Sequence, residues 1–319
     1  MSSGIFTTVY DSTIYNKAKS LARPITRHRR LLERVKYLGE QILSPQEGND
    51  LLARLIHQPA AIGRIGGAEM GGLRRYFHGA RSRGLCESWG HDGTKLHRTV
   101  GLYPPEGSVF SKFCDLFTQE LAHLDASAVW FNWGEHSTLR RFAPKATLMM
   151  PDGVEPYLHD RPWSQHLAGK RVLVVNPFTE SIEAQYKRRR QVWRAKPEVL
   201  PDFELRTIRC PLHAALVTPK FPDWFAALDA MREEMASAPF DVAIVGAAGW
   251  SVPLVVHAKS LGACGIYVGG ATQLLFGIKG RRWDTLYPRM TAFYNETWTR
   301  PSPSETPQGI QKIEGGCYW

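Results

Sequence analysis

The chain has no uninterrupted apolar run of about 18 residues, the length a membrane-spanning helix requires. Its first fifteen residues, MSSGIFTTVYDSTIY, lack a basic start followed by an apolar core. No secretory signal is read there, so a cytoplasmic location is expected, with the inner face of the membrane as a peripheral site. Cysteine is sparse. The five residues Cys86, Cys114, Cys210, Cys264 and Cys317 are scattered and form neither a CxxC pair nor a zinc spacing. Free thiols in a reducing compartment are expected. There is no GxSxG, no HExxH and no P-loop lysine, which removes the hydrolase, zincin and kinase readings. Internal repeats and low-complexity tracts are also missing.

What is present belongs to a globular protein: 319 residues, 43% apolar and 22% charged, enough for one large α/β domain or two lobes. A net charge of +10 favours an anionic partner. A nucleotide, nucleic acid and an anionic membrane surface all fit that sign. Nucleic acid is the weakest fit, because the basic runs 27–36 and 187–190 are helical and separate rather than interleaved with aromatics.

Residues 1–54 read as a basic helical segment packing on the body. In ITRHRRLLERVKYLGEQIL, Leu31, Leu32, Val35, Leu38, Ile42 and Leu43 share roughly one face, and Arg27, Arg29, Arg30, Arg34 and Lys36 lie mostly elsewhere. Either the apolar face covers the core and the basic face is solvated, or residues 23–36 touch an anionic membrane. Residues 55–285 carry the strand–helix alternation of a parallel α/β sheet: strands at 60–65, 128–133, 171–176, 205–209, 242–245 and 265–268, with helices between them. The Pro-rich connection at 151–168 is the candidate lobe boundary. The tail, 286–319, is expected to wrap the body.

The stretch from Asp241 to Trp283 organises the rest. An apolar strand ends in the turn Gly246-Ala247-Ala248-Gly249, and a helix follows with Ser251 as expected N-cap and Pro253 in its first turn. A second strand leads into Gly269-Gly270. Turns at the carboxyl edge of such sheets bind ligands, and a helix N-terminus there favours anions. Trp250 either stacks on a base or packs. Gln273 offers a donor and an acceptor; Lys279, Arg281 and Arg282 offer charge for a diphosphate. The turn is not GxGxxG, and no acid stands about 20 residues later at a strand end. A second glycine turn, Gly66-Gly67, precedes Glu69, which is either a first-turn helix residue or a carboxylate facing the cleft. Arg64, inside an apolar strand, needs an anion: Glu69 or a ligand phosphate. Candidate general bases are His91, Asp92, Glu135, His136, Asp152 and Glu155.

Three stretches together resemble a family. RIGGAE (residues 64–69) is similar to the Arg-Phe-Gly-Asp-Gly-Glu segment of the GT-D fold glycosyltransferases. VLVVNPFTESIEAQY (172–186) and the run 240–283 resemble members of that group associated with bacterial polysaccharides. The resemblance implies a Rossmann-like fold, a UDP-sugar donor and a carbohydrate or lipid-linked glycan acceptor. It places the donor over Gly246, Gly249, Trp250, Ser251, Gly269, Gly270 and Gln273, near Lys279 and Arg282, with Arg64, Gly66, Gly67 and Glu69 across the cleft. Asp152 or Glu155 is then the base of an inverting transfer. The family's Asp-X-Glu pair holds Mg²⁺ or Mn²⁺; here Glu69 matches the glutamate, but Gly67 replaces the aspartate. Two other readings stay open: a dinucleotide- or S-adenosylmethionine-dependent sugar-modifying enzyme, and a non-catalytic nucleotide- or anion-binding module.

Overall fold

The computed structural model describes residues 28–79, 96–212, 220–312 and 315–319. Among the described residues eight strands form one sheet: β1 (Ile42–Leu43), β2 (Ala60–Arg64), β3 (Ala126–Ala128), β4 (Thr147–Met149), β5 (Arg171–Asn176), β6 (Glu204–Arg209), β7 (Val242–Val245) and β8 (Cys264–Tyr267). Their order is β1-β4-β3-β2-β8-β7-β5-β6, and every pairing is parallel. Both faces of a parallel sheet are covered, so its central strands read as continuous apolar runs. Alternate residues serve opposite faces. Leu173, Val175, Ala243 and Val245 pack with α3 (Gly67–Gly79), α4 (Gly107–Leu121), α7 (Trp224–Ala236) and α8 (Ser251–Ser260). Val172, Val174, Val242 and Ile244 pack with α2 (Pro45–Leu55), α6 (Thr179–Lys187) and the C-terminal segment. This is a Rossmann-like, doubly wound architecture.

Four local expectations change. Among the described residues helix α1 covers 28–36; Ile42 and Leu43 lie beyond it and pair with Leu148 and Met149 at the sheet edge. The N-terminal segment thus contributes a strand. The apolar stripe of α1 does not cover the core: Leu31, Leu32, Val35 and Leu38 are 54%, 44%, 59% and 79% exposed, whereas Glu33 and Tyr37 are buried. A buried carboxylate explains the inversion, because the Glu33 carboxylate accepts the His136 backbone N–H (2.9 Å) and pairs with Lys36 (2.9 Å). The third strand ends at Ala128, since Phe131 has a left-handed backbone (φ 55°). Residues 151–168 form three short 3₁₀ turns anchored by the buried Tyr157 and Trp163, and among the described residues the strands on both sides of them belong to one sheet.

The tail is tied down by charge as well as packing. Glu305 is fully buried, and its carboxylate accepts the backbone N–H of Glu180 (2.7 Å) and Ser181 (3.3 Å) in the first turn of α6, where the helix dipole favours an anion. Trp298 donates to Val192 O (3.1 Å), and Trp319 donates to Glu305 O (2.8 Å).

Candidate functional site at the carboxyl edge

The chain leaves β5 through α6 toward β6, and leaves β7 through α8 toward β8 on the opposite side. That divergence opens a crevice at the strand ends. Asn176, the last residue of β5, closes its floor: Nδ2 donates to Gly246 O (3.3 Å) and Oδ1 accepts from Phe178 N (3.0 Å). Residue 246 must be glycine here, because a Cβ would stand 2.6 Å from both Asn176 Nδ2 and Gly269 O.

A first cavity of about 120 Å³ occupies this crevice. Its wall includes Arg64, Asn176, Gly246, Ala248, Trp250, Tyr267, Gly269, Gly270, Gln273, Tyr318 and Trp319. Gln273 is 1% exposed; its Nε2 donates to Tyr318 O (2.8 Å), while its Oε1 is buried with no hydrogen-bond partner. Tyr267, which sequence reasoning missed, ends β8 on the wall of this cavity, with the Arg64 guanidinium 4.6 Å from the centre of its ring. Burial, the largest influence, pushes its ionisation upward, so the hydroxyl stays neutral. Cys210 also lines the cavity, but burial lifts its thiol to about 12, which rules out a thiolate nucleophile near neutrality.

A second cavity of about 250 Å³ lies at the ends of β3 and β4. It shares Arg64 and Gly270 with the first. The guanidinium of Arg64 stands between the rings of Tyr267 (4.6 Å) and Trp130 (5.3 Å), in the space a Cβ on Gly269 would need. Asp152 and Glu155 line this second cavity with Arg30, Arg34, Arg282 and Arg289. Arg289 Nη2 donates to both carboxylate oxygens of Asp152 (3.2 and 3.1 Å). Tyr157 donates to Glu155 Oε2 (2.9 Å). Burial raises the Glu155 carboxyl above the usual range; the Tyr157 hydrogen bond opposes this, Asp152 adds to it, and Arg64 and Arg289 oppose it. A carboxyl tuned upward in a cavity is suited to moving a proton.

Backbone strain marks the same two places. Among the described residues, two non-glycine residues have positive φ: Ala248 (47°) and Phe131 (55°). One lines each cavity. Strain of this kind costs about 1–3 kcal/mol and clusters at functional sites.

Other expected residues sit elsewhere. Gly66, Gly67, Gly249, Ser251 and Glu69 line neither cavity. Glu69 is 5% exposed and folds back over Gly66, whose Cβ would meet its carboxylate. Ser251 is the first residue of α8 rather than its cap, and its Oγ accepts from Ala247 N (3.0 Å). Trp250 packs: it stacks on Trp224 (5.6 Å, 7°) and donates to Trp224 O (3.0 Å). Lys279 lies over the Tyr294 ring (5.3 Å), outside both walls. Arg282 reaches the second cavity and donates to the Tyr318 hydroxyl (3.0 Å).

Among the other candidate bases, Glu135 organises the β3 exit loop by accepting Asn132 N (2.9 Å) and Trp130 N (3.2 Å). His136 pairs with Glu40 (3.1 Å), and His91 and Asp92 lie outside the described residues. The described cysteines Cys114, Cys210, Cys264 and Cys317 are buried free thiols.

A divalent cation is poorly served at Glu69. The neighbouring Gly67 supplies no carboxylate, and among the described residues no group of three or more His, Cys, Asp or Glu converges on one point. Nor is any helix of the described residues long and apolar enough to cross a membrane.

The chain matches no protein-family model, no curated protein and no solved structure.

Proposed function

We propose that the chain is a glycosyltransferase of GT-D type, moving a sugar from a nucleotide diphosphate sugar, a UDP-sugar, to an acceptor hydroxyl in bacterial surface polysaccharide synthesis. The observation that carries this reading is the pair of adjoining cavities meeting at Arg64 and Gly270. A group transfer between two substrates needs two subsites with the reacting atoms at their junction. Together the cavities reach the lower end of the ~300–1,000 Å³ typical of small-molecule sites.

The nucleoside occupies the first cavity. There Gln273, on the cavity wall and held by its Nε2 hydrogen bond to Tyr318 O, packs against the ligand. The diphosphate lies at the Gly246 and Gly269-Gly270 turns against Arg64. The acceptor enters the second cavity. Its hydroxyl oxygen bonds to the anomeric carbon while the bond from that carbon to the diphosphate oxygen breaks. Glu155 takes the hydroxyl proton, and the electron pair leaves with the nucleoside diphosphate, whose added charge Arg64 balances. With Glu155 as base, this single displacement inverts the anomeric centre. No step is routed through a metal ion, because Glu69 and Gly67 do not form a carboxylate pair.

A dinucleotide- or S-adenosylmethionine-dependent reading requires an acid on the ribose, and the described lining of the first cavity holds no carboxylate. Calorimetry with UDP and UDP-sugars, with and without Mn²⁺, tests the proposal. Binding is expected in both conditions. A flat titration with every nucleotide at millimolar concentration would sink it and leave the non-catalytic module standing.

A further inference from the structure

The second cavity carries more positive charge than proton transfer needs. Arg30, Arg34, Arg64, Arg282 and Arg289 face it, against the carboxylates Asp152 and Glu155. Arginine recognises phosphate through its planar fork of donors, and guanidinium groups converging on one cavity make a phosphate site. The surroundings say where that phosphate comes from. Seven large apolar side chains are exposed among the described residues. Leu31, Leu32, Val35 and Leu38 belong to α1 and the turn after it, the segment that supplies Arg30 and Arg34. Leu286 and Tyr287 stand between Arg282 and Arg289, and Tyr287 lines the cavity itself. Only Leu261 lies elsewhere.

Successive residues of a helix are about 100° apart, which sets the apolar stripe of α1 directly beside its two arginines. Glu33 and Tyr37 are buried on the other side of those arginines. An apolar stripe rimmed by arginine is the pattern of a helix lying in a bilayer interface. A core-packing helix would bury that stripe.

We infer that this face docks on an anionic membrane, and that the arginine cavity receives the phosphate or diphosphate of a membrane lipid. Charge complementarity fixes the occupant: apolar side chains enter the interface on both rims of the cavity, and the cavity between them takes the headgroup anion. The inference rests on the transferase reading only in making that lipid the carrier of the acceptor. The binding itself is measured without a donor.

The test uses the full chain and vesicles of phosphatidylcholine alone, with phosphatidylserine, or with phosphatidic acid at matched surface charge; phosphatidic acid supplies a monoester phosphate. Co-sedimentation is expected to favour phosphatidic acid over phosphatidylserine, and inorganic pyrophosphate is expected to compete. Arg30→Ala with Arg34→Ala weakens vesicle binding about thirtyfold, that is about 2 kcal/mol at about 1 kcal/mol per basic residue. It also removes the phosphatidic acid preference. Leu31→Ser with Val35→Ser, at exposed positions, lowers binding to every anionic vesicle but leaves pyrophosphate binding intact.

Equal binding to phosphatidylserine and phosphatidic acid, with no competition by pyrophosphate, overturns the cavity and leaves a generic basic surface. Pyrophosphate binding without vesicle binding overturns the membrane source and points to a soluble phosphorylated acceptor. A change of oligomeric state in Leu31→Ser/Val35→Ser, with wild-type vesicle binding, assigns the face to a second copy of the chain and also overturns it. Nucleotide calorimetry on the same preparations separates the two ideas: a failed donor titration with intact lipid binding refutes the transferase alone.

Discussion

Replacing Gly269 by alanine perturbs the junction of the two cavities in a calculable way. Gly269 has φ +67°, and a Cβ there enters the space held by the Arg64 guanidinium. Gly262, at the end of α8, has φ +85° and nothing within 4 Å of its Cβ position. Both substitutions carry the left-handed backbone term, roughly 1–2 kcal/mol. Only Gly269→Ala also displaces Arg64. That breaks its stacking over the Tyr267 and Trp130 rings, worth about 0.5–2 kcal/mol each. Arg64 is half-buried and recovers some hydration, so about 1 kcal/mol per ring applies and the extra loss is about 2 kcal/mol. Urea unfolding of the two variants, at unchanged m-value, is expected to give about 1–2 kcal/mol for Gly262→Ala and about 3–4 kcal/mol for Gly269→Ala. UDP titration of the same samples is expected to weaken only in Gly269→Ala. Equal destabilisation with unaltered UDP binding would refute the placement of Arg64 as the hinge between the subsites.

Burial raises the Glu135 carboxyl to about 8, above its ordinary 4.5. The unfolded chain then ionises first as pH rises, so stability falls between about pH 4.5 and 8, by up to about 1.4 kcal/mol per unit. Glu135→Gln flattens this slope in urea unfolding across pH 5 to 8, and parallel curves for the two proteins would contradict it. Glu155→Gln lowers the transfer rate constant about 10²–10⁴-fold while leaving UDP binding unchanged; retention of rate removes Glu155 as base. Arg289→Ala takes away a charge that holds the Glu155 carboxyl down, so the acid limb of the pH–rate profile moves to higher pH; movement to lower pH contradicts the pairing. Trp250→Ala costs about 3–5 kcal/mol by thermal or urea unfolding, because the ring is a core side chain stacked on Trp224; a loss under 1 kcal/mol would return it to the ligand.

How much of this was legible in the sequence follows from what each signal encodes. The buried central strands announce themselves as apolar runs, and Arg171–Asn176 and Val242–Val245 fall where that pattern puts them. The edge strand Ile42–Leu43 and its neighbour Thr147–Met149 are two and three residues long, too short for any periodicity. The orientation of α1 is not legible locally, because its apolar residues outnumber the buried Glu33, whose partner is the backbone of His136, 103 residues away.

At the site, glycine turns and an arginine inside an apolar strand point locally, and Arg64, Gly246, Gly269, Gly270 and Gln273 do gather. Asp152 and Glu155 share a cavity with Arg64 through the strand order, which places β2 beside β3 and β8. Tyr267, Asn176 and Tyr318 went unseen: an aromatic closing a strand and a tail that packs on Gly270 look like ordinary core until the fold brings them together. A polar residue ending an apolar run, as Asn176 does, is the one signal that sequence reading had available for them.

The most direct measurement is a crystal structure of the full chain soaked with UDP or a UDP-sugar. The account predicts the nucleoside in the first cavity against Gln273, the diphosphate within hydrogen-bond reach of Arg64, and the second cavity open toward Glu155. A nucleotide bound away from the Gly246 and Gly269 turns, or with its diphosphate out of reach of Arg64, would contradict it.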